Sequence, residues 1–561
     1  MPTALPDQKR VLLEAAGAFA FVALLLTFMT NEDLPRTYFV MQDRFVAVFA
    51  AVILGLLAFQ KLRIQRTLSV PTRLQIWVIA AALVVLLWAG NYWVMLDYPV
   101  TRDELMARFD AEIFATGRVA MPTQEQWREY TLALIPNFLE PVQGYETWVS
   151  SYMPIHAAMR AGVGLLFDPA LLNPFLAAVG LMACAAVARQ LFPEEAGAQW
   201  VVVLGYVLSA QILINAMTSY AMTAHLAFNA VWLWLFLRDR WWSHAGAMAI
   251  GALAIGLHQI IFHPLFAGPL LLTLLAKRRF TLFGVYSIVY AGVLLTWIGF
   301  HGWATGGAPT TTTGGSGGVE FILRRALPLL LNINPQFVSL TLYNMLRFLA
   351  WMPLFLLPLL LLAWPSMKSR DSLALPLAAG LFGTLFAMAW MQAFQGHGWG
   401  YRYAHHVLPN ALLLAGFGYA RCAKENREKA QAFVLAGAGA TIPVLIFLAA
   451  TARSFIAPYA ALTERIDRQP TDFVMLETKH PGTAVDQVRN RADLSNTPII
   501  LSADHMTFDQ VVELCNRGTV TLLEKSDFKL IDFGYPRAIN PDYAKSAKWV
   551  VEQDCYRVPQ P

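Results

Sequence analysis

The sequence predicts an α-helical protein that crosses a membrane many times and carries a small α/β domain at its C-terminal end. Of the 561 residues, 57% are hydrophobic and only 14% charged, and the apolar residues come in blocks of about twenty, the length a helix needs to span a bilayer. The Lys and Arg residues cluster between those blocks. Beyond residue 451 the blocks stop, and short apolar runs separated by polar turns begin.

So apolar a chain falls outside the soluble class. Its net charge of +5 is modest. Because the cations sit between apolar blocks, they report topology, and no basic tract argues for a nucleic-acid partner. The first block follows Lys9 and Arg10, as a signal peptide would. It is too long for one, however, and no small-x-small cleavage pattern precedes Asn31, Glu32 and Asp33.

About thirteen spans are predicted, at 11–29, 45–60, 74–95, 171–192, 198–217, 221–238, 244–258, 260–276, 281–300, 344–363, 373–394, 406–421 and 431–451. One orientation puts the basic connections on a single side: Lys61 to Arg73, Arg189, Arg238 with Arg240, Lys277 to Arg279, Lys368 with Arg370, and Arg421 to Lys429. By the positive-inside rule that side is cytoplasmic. The N-terminus is then cytoplasmic, in an inner (plasma) membrane, and residues 30–44, 96–152, 301–343, 395–405 and everything after 451 face outward. Residues 151–167 are apolar but hold Pro154, His156 and Arg160, which reads as a juxtamembrane or re-entrant helix.

These assignments divide the chain into a membrane domain, 1–451, and an outer α/β domain, 452–561. In the outer domain TPIIL (497–501) reads as a buried strand, 507–515 as a helix and 519–523 as another strand. Cys184 lies in a span and Cys422 on the cytoplasmic side, while Cys515 and Cys555 both fall in the outer domain, where a disulfide between them fits an oxidising compartment. The loop 306–318, GGAPTTTTGGSGG, has linker composition, and 321–331 reads as an interfacial helix carrying Arg324 and Arg325. Such a loop over the outer face serves equally as a lid or a plain connector.

The chemistry-bearing residues gather on the outer face. At their centre is YPVTRDELMARFDAEIFATGRVAMP (98–122), with the adjacent acids Asp103 and Glu104. Acids at the end of a membrane helix are costly against lipid, so they belong in water, in a cleft or beside cations. They read either as catalytic carboxylates or as the solvated first turn of a helix. Carboxylates Asp97, Asp110 and Glu112, histidines 156, 225, 258, 263, 397, 405 and 406, and arginines 102, 108, 160, 324, 325, 347 and 402 share that face. The mixture suits a reaction in which one group takes a proton and cations hold an anionic leaving group. No phosphate-binding loop, H-E-x-x-H zinc helix or G-x-S-x-G elbow occurs in the chain.

The order of several outer motifs resembles the GT-C glycosyltransferases, in particular the protein O-mannosyltransferase and aminoarabinose-transferase group. These are Asp103-Glu104 followed by Ala115-Thr116-Gly117 and Pro122; SSYMPIHAAM (150–159), where that group carries a Tyr-Pro-Pro segment; NPFLAAVGLMACAAVARQLF (173–192); SYAMTAHLAFNAVWLWLFLR (219–238); and GWGYRYAHHVLP (398–409). The chain departs from the group at Ala224-His225, where a second acid would stand, and at Met153-Pro154 in place of Pro-Pro.

The resemblance implies a transferase that moves a sugar from a polyprenyl-phosphate carrier to a lipid, glycan or protein hydroxyl on the outer face, among membrane lipids. In that reading Asp103 is the general base, with inversion, and Glu104 orients the acceptor or pairs with an arginine. Arg402 is the first choice to hold the donor phosphate, because guanidinium pairs with phosphate bidentately; Arg102 and Arg108 are the next. His156, His225, His258, His263, Tyr401, Tyr403 and His405 are candidates to line the cavity. No cofactor is required by this chemistry, although the histidines leave room for a divalent metal. Trp390 and Trp399 read as sugar platforms or interface anchors. Two alternatives remain open: an oligosaccharyltransferase or glycan ligase on the same fold, and a non-enzymatic lipid or sugar transporter.

Overall fold

The computed structural model describes residues 8–29, 34–65, 68–136, 138–139, 143–306, 327–331, 335–368, 372–391, 394–479, 483–531 and 541–560. Among these, seven helices are long and apolar enough to cross a membrane, or eight if the bent pair Ala196–Val207 and Ala210–Ala216 is one span. Shorter apolar helices, Met222–Leu237, Phe262–Ala276, Phe337–Ala350 and Leu356–Lys368, lie among the longer ones. The protein is therefore a multi-pass membrane protein. The thirteen expected windows fall on these helices and on Trp241–Ile255, although several helices are too short for a full crossing.

The breaks have local causes. The bent pair turns by 46° at Ser209, whose hydroxyl caps the second helix by accepting from Ile212 N at 3.2 Å. The window 344–363 divides into Phe337–Ala350 and Leu356–Ala363 around Pro353, which has no N–H to continue a helix. The helix Leu408–Asp467 leaves helical geometry at Asn426, whose side chain accepts from Lys429 N at 2.9 Å and so starts the second pass. That pass runs on beyond 451, so the expected domain boundary lies inside a helix.

Residues 151–167 hold the ten-residue helix Ile155–Gly164. At about 1.5 Å per residue it covers half a bilayer, and it packs against the helix Arg102–Ala115. Arg324, Arg325 and nearly all of the predicted linker lie outside the described residues; Leu327–Leu331 is a short helix.

Outside the bundle, two short strands, β1 (Met121–Pro122) and β2 (Thr147–Trp148), pair antiparallel. A parallel sheet follows the long terminal helix: β3 (Phe473–Leu476), β4 (Ile499–Ser502) and β5 (Val520–Leu523), in the order β4-β3-β5. The helix Phe508–Arg517 starts at a capping box of Thr507 and Gln510, and a disulfide joins Cys515 to Cys555. The central strand, β3, was not among the predicted elements. The sheet and the acid-pair loop also share one core, in which Met106, Phe109, Trp127 and Trp148 pack with Phe473, Met475, Leu501 and Val520.

Candidate active site

The acid-pair helix Arg102–Ala115 starts where the chain leaves the span Arg73–Trp93 through Leu96 and Asp97, both with positive φ. Thr101 is its N-cap and accepts from Glu104 N at 3.4 Å. Glu104, almost fully buried, turns its carboxylate back to accept from Val100 N at 3.1 Å. The pair thus splits: Glu104 secures the helix start, while Asp103 points into a cavity.

That cavity, of about 510 Å³, is lined by the polar side chains of Asp103, Tyr152, His258, Gln395, Arg402 and Tyr403. Ile260, Ile261, Met388 and Met391 add apolar lining. Asp103 pairs with the Arg402 Nη1 and accepts from the Tyr152 hydroxyl. The Tyr152 and His258 rings lie 4.3 Å apart between centroids.

Arg402 is held by a fastened turn. Gly400 has a φ of 69°, a left-handed conformation that suits glycine. Side chains from other helices hold the turn's carbonyls: Arg347 on Gly398 at 2.9 Å, Asn215 on Trp399 at 2.8 Å and Gln211 on Tyr401 at 2.8 Å. The Gln395 carbonyl accepts from Arg402 Nε at 2.9 Å and also from Nη2. The guanidinium lies 5.2 Å from the ring centroids of both Tyr220 and Tyr403.

Burial pushes the Asp103 carboxyl up, but the charges of Arg402 and His258 and the hydrogen bonds from Tyr152 and Arg402 outweigh it. The group therefore stays below the usual carboxylate range and is ionised at neutral pH. Burial moves Glu104 the other way, to about 7, against the pull of Arg108. His258 is pushed down to about 4, chiefly by burial, which makes it a neutral ring at pH 7.

Of the residues singled out from sequence, Asp103, Arg402, His258 and Tyr403 meet at this cavity, and the others lie away from its wall. Arg102 donates to the carbonyls of Val488, at 2.7 Å, and Val485, and sits 3.7 Å from Asp486. Arg108 pairs with Asp97 at 2.7 Å. His156 bonds Asn173 at 3.2 Å, and His263 bonds Asn229 at 2.8 Å and Tyr290 at 3.2 Å. His225 is buried against Phe262, with ring centroids 5.1 Å apart, and Tyr401 and His405 are buried beside the Arg402 turn. These seven are packing or fastening groups in this arrangement. Trp399 is buried and Trp390 stacks on Phe386. Among the described residues, no three His, Cys, Asp or Glu side chains are grouped to hold a metal ion.

Tyr152 and Gln395 were not singled out beforehand. Tyr152 stands in the segment compared with a Tyr-Pro-Pro motif, and that was its available signal; Gln395 had none.

No protein-family model matches the chain, and no curated protein sequence matches it. Among solved structures, ArnT from Cupriavidus metallidurans bound to undecaprenyl phosphate is similar, with a TM-score of 0.52 and 14% identity over 75% of this chain and 86% of that one. The apo state of the same protein gives a TM-score of 0.49 and 12% identity over 74% and 85%. The likeness to the lipid-bound structure is one of fold: this chain shares the membrane fold of that ArnT.

Proposed function

We propose that the chain is an integral-membrane glycosyltransferase that moves a sugar from a polyprenyl-phosphate carrier to an acceptor hydroxyl, with inversion and with Asp103 as general base. The carrying observation is that Asp103 and Arg402 pair in a cavity that apolar side chains also line. An ionised carboxylate beside a guanidinium suits proton removal next to phosphate departure. The apolar lining suits the first isoprene units of the carrier. Undecaprenyl phosphate, bound by the ArnT of like fold, belongs to that ligand class.

In this reading the acceptor hydroxyl gives its proton to Asp103, and its oxygen forms a bond to the anomeric carbon. The bond from that carbon to the phosphate oxygen breaks, and its electron pair leaves with the polyprenyl phosphate. Arg402 neutralises the departing charge, and phosphate needs no general acid. Donor binding also acts on the base: the phosphate's negative charge offsets that of the fixed guanidinium, so Asp103 is held less far below the carboxylate range and becomes more basic.

A cavity of about 510 Å³ is of small-molecule size, which favours a single-sugar donor over the long glycan of a ligase. The basic connections and the Cys515–Cys555 disulfide support a cytoplasmic N-terminus and an outer, periplasmic sheet domain in the inner membrane.

The test is polyprenyl-phosphate release from a panel of polyprenyl-phosphate sugars by the full chain in nanodiscs, with and without chelator. The expected result is consumption of one donor by the wild type and its loss in Asp103→Asn, with polyprenyl-phosphate binding retained. If no donor is consumed, and Asp103→Asn and Arg402→Ala bind polyprenyl phosphate as the wild type does, the reading fails.

A further inference from the structure

The helix ends farthest from Asp103 enclose a second cavity, of about 690 Å³. Arg73 opens the helix Arg73–Trp93, whose other end leads to the acid-pair loop. Arg189 lies in the last turn of Leu172–Leu191, which begins beside Asn173, and Arg238 closes Met222–Leu237, which begins beside Tyr220. The 21 residues of Arg73–Trp93 put about 30 Å between the two cavities.

This cavity is apolar along its length, against Trp77, Met182 and Val231, and cationic at its end. Arg189 is fixed by a 2.9 Å bond to the Pro71 carbonyl, and Arg238 stacks over Trp234 at 4.3 Å. Among the described residues, no carboxylate lines it. Three arginines, with no acid among the lining residues, sit at the end of a groove between membrane helices. That pattern of charge and apolar length matches an amphiphile with an anionic head.

We propose that this cavity is a binding site for an anionic glycerophospholipid of the leaflet opposite Asp103. Its phosphate sits among Arg73, Arg189 and Arg238, and one acyl chain lies along Trp77, Met182 and Val231. Guanidinium forks suit the phosphate oxygens, and the absence of a lining acid disfavours a zwitterionic head with its own ammonium. The lipid bridges the three helices whose other ends carry the acid-pair loop, Asn173 and Tyr220, and so ties them together from the far face. Inorganic phosphate satisfies the arginines but leaves the apolar wall open.

The experiment is native mass spectrometry of the purified full chain, together with its unfolding temperature in phosphatidylglycerol and phosphatidylcholine nanodiscs and in detergent with inorganic phosphate. The wild type is expected to retain anionic phospholipid and to unfold at a higher temperature in phosphatidylglycerol. Removing three near-surface arginines in Arg73→Gln/Arg189→Gln/Arg238→Gln should weaken retention about a hundredfold. Ala186→Trp, which keeps the arginines and fills the half-buried wall, should also lose the lipid, so the test survives if the triple variant does not fold. Equal unfolding temperatures in the two lipids, wild-type retention by Ala186→Trp, or an equal shift from inorganic phosphate alone would overturn the proposal.

Discussion

Arg402 and Asp103 stand 299 positions apart in the chain and form an ion pair inside the outer cavity. Arg402 is bound on its other edge by the Gln395 carbonyl, so its charge stays in place whether or not Asp103 keeps its proton. A carboxylate so buried is tolerable only with such a partner, and the same partner depresses its basicity until an anion competes for it.

Arg402→Lys keeps the charge and loses the planar fork, so donor KM should rise with a smaller loss in kcat. Arg402→Ala should lower kcat by about 10² to 10³, the usual cost of removing an electrostatic stabiliser of the transition state. Steady-state kinetics on both variants, with thermal unfolding to confirm folding, checks this. Equal kinetics for Arg402→Ala and wild type would leave the pair a purely structural fastening.

The Tyr152 hydroxyl donates to ionised Asp103 and helps to hold its pKa down. Tyr152→Phe removes that bond, so the Asp103 pKa rises. A base must be ionised to act, and the acid limb of the kcat/KM profile should therefore move to higher pH. Activity should fall about tenfold on the acid limb for each unit of displacement and recover on the plateau. An unmoved limb would mean that Asp103 is not the group that titrates.

The apolar blocks were legible because membrane crossing demands a run of apolar residues, whatever their partners. Asp103 was legible because an acid at a span end needs a reason. Which of two adjacent acids faces the cavity was not, since capping by Thr101 and the Val100 N–H decides it. The arginines show the same limit: Arg102 and Arg402 are alike in sequence, but one is spent on the Val485 and Val488 carbonyls and the other on Asp103. Burial among helices likewise takes His156 and His263 into bonds with Asn173 and Asn229. Strand β3 was missed although, like the predicted β4 and β5, it is a four-residue run buried at every position.

Arg102 ties the acid-pair helix to the sheet domain through two carbonyls and Asp486. Arg102→Ala leaves the buried Val488 carbonyl without this donor and Asp486 with Arg489 as its remaining cation, at a cost of about 1 to 3 kcal/mol. The expected outcome is a lower unfolding temperature, with faster hydrogen exchange in both Arg102–Ala115 and the loop near Val488. Exchange confined to one of the two would show that they are not coupled.

Asp110 supplies a pH-dependent term in the same helix. Its carboxylate is buried and accepts from the Ser150 N–H at 3.0 Å and from the Ser150 hydroxyl. Burial, partly offset by those bonds, raises its pKa to about 7. Unfolded, it ionises near 3.9, so between about pH 4 and pH 7 the folded protein holds this proton more tightly. Its contribution is full below that window and lost as pH rises through it. Asp110→Asn removes the term, so the variant should gain on the wild type across the window, by up to about 4 kcal/mol at 1.36 kcal/mol per unit. Unfolding temperatures of both proteins from pH 4.5 to 8 measure the gain. Glu104, also raised to about 7, titrates in both, so the difference isolates Asp110. Parallel curves would mean that Asp110 is ionised in the folded protein throughout.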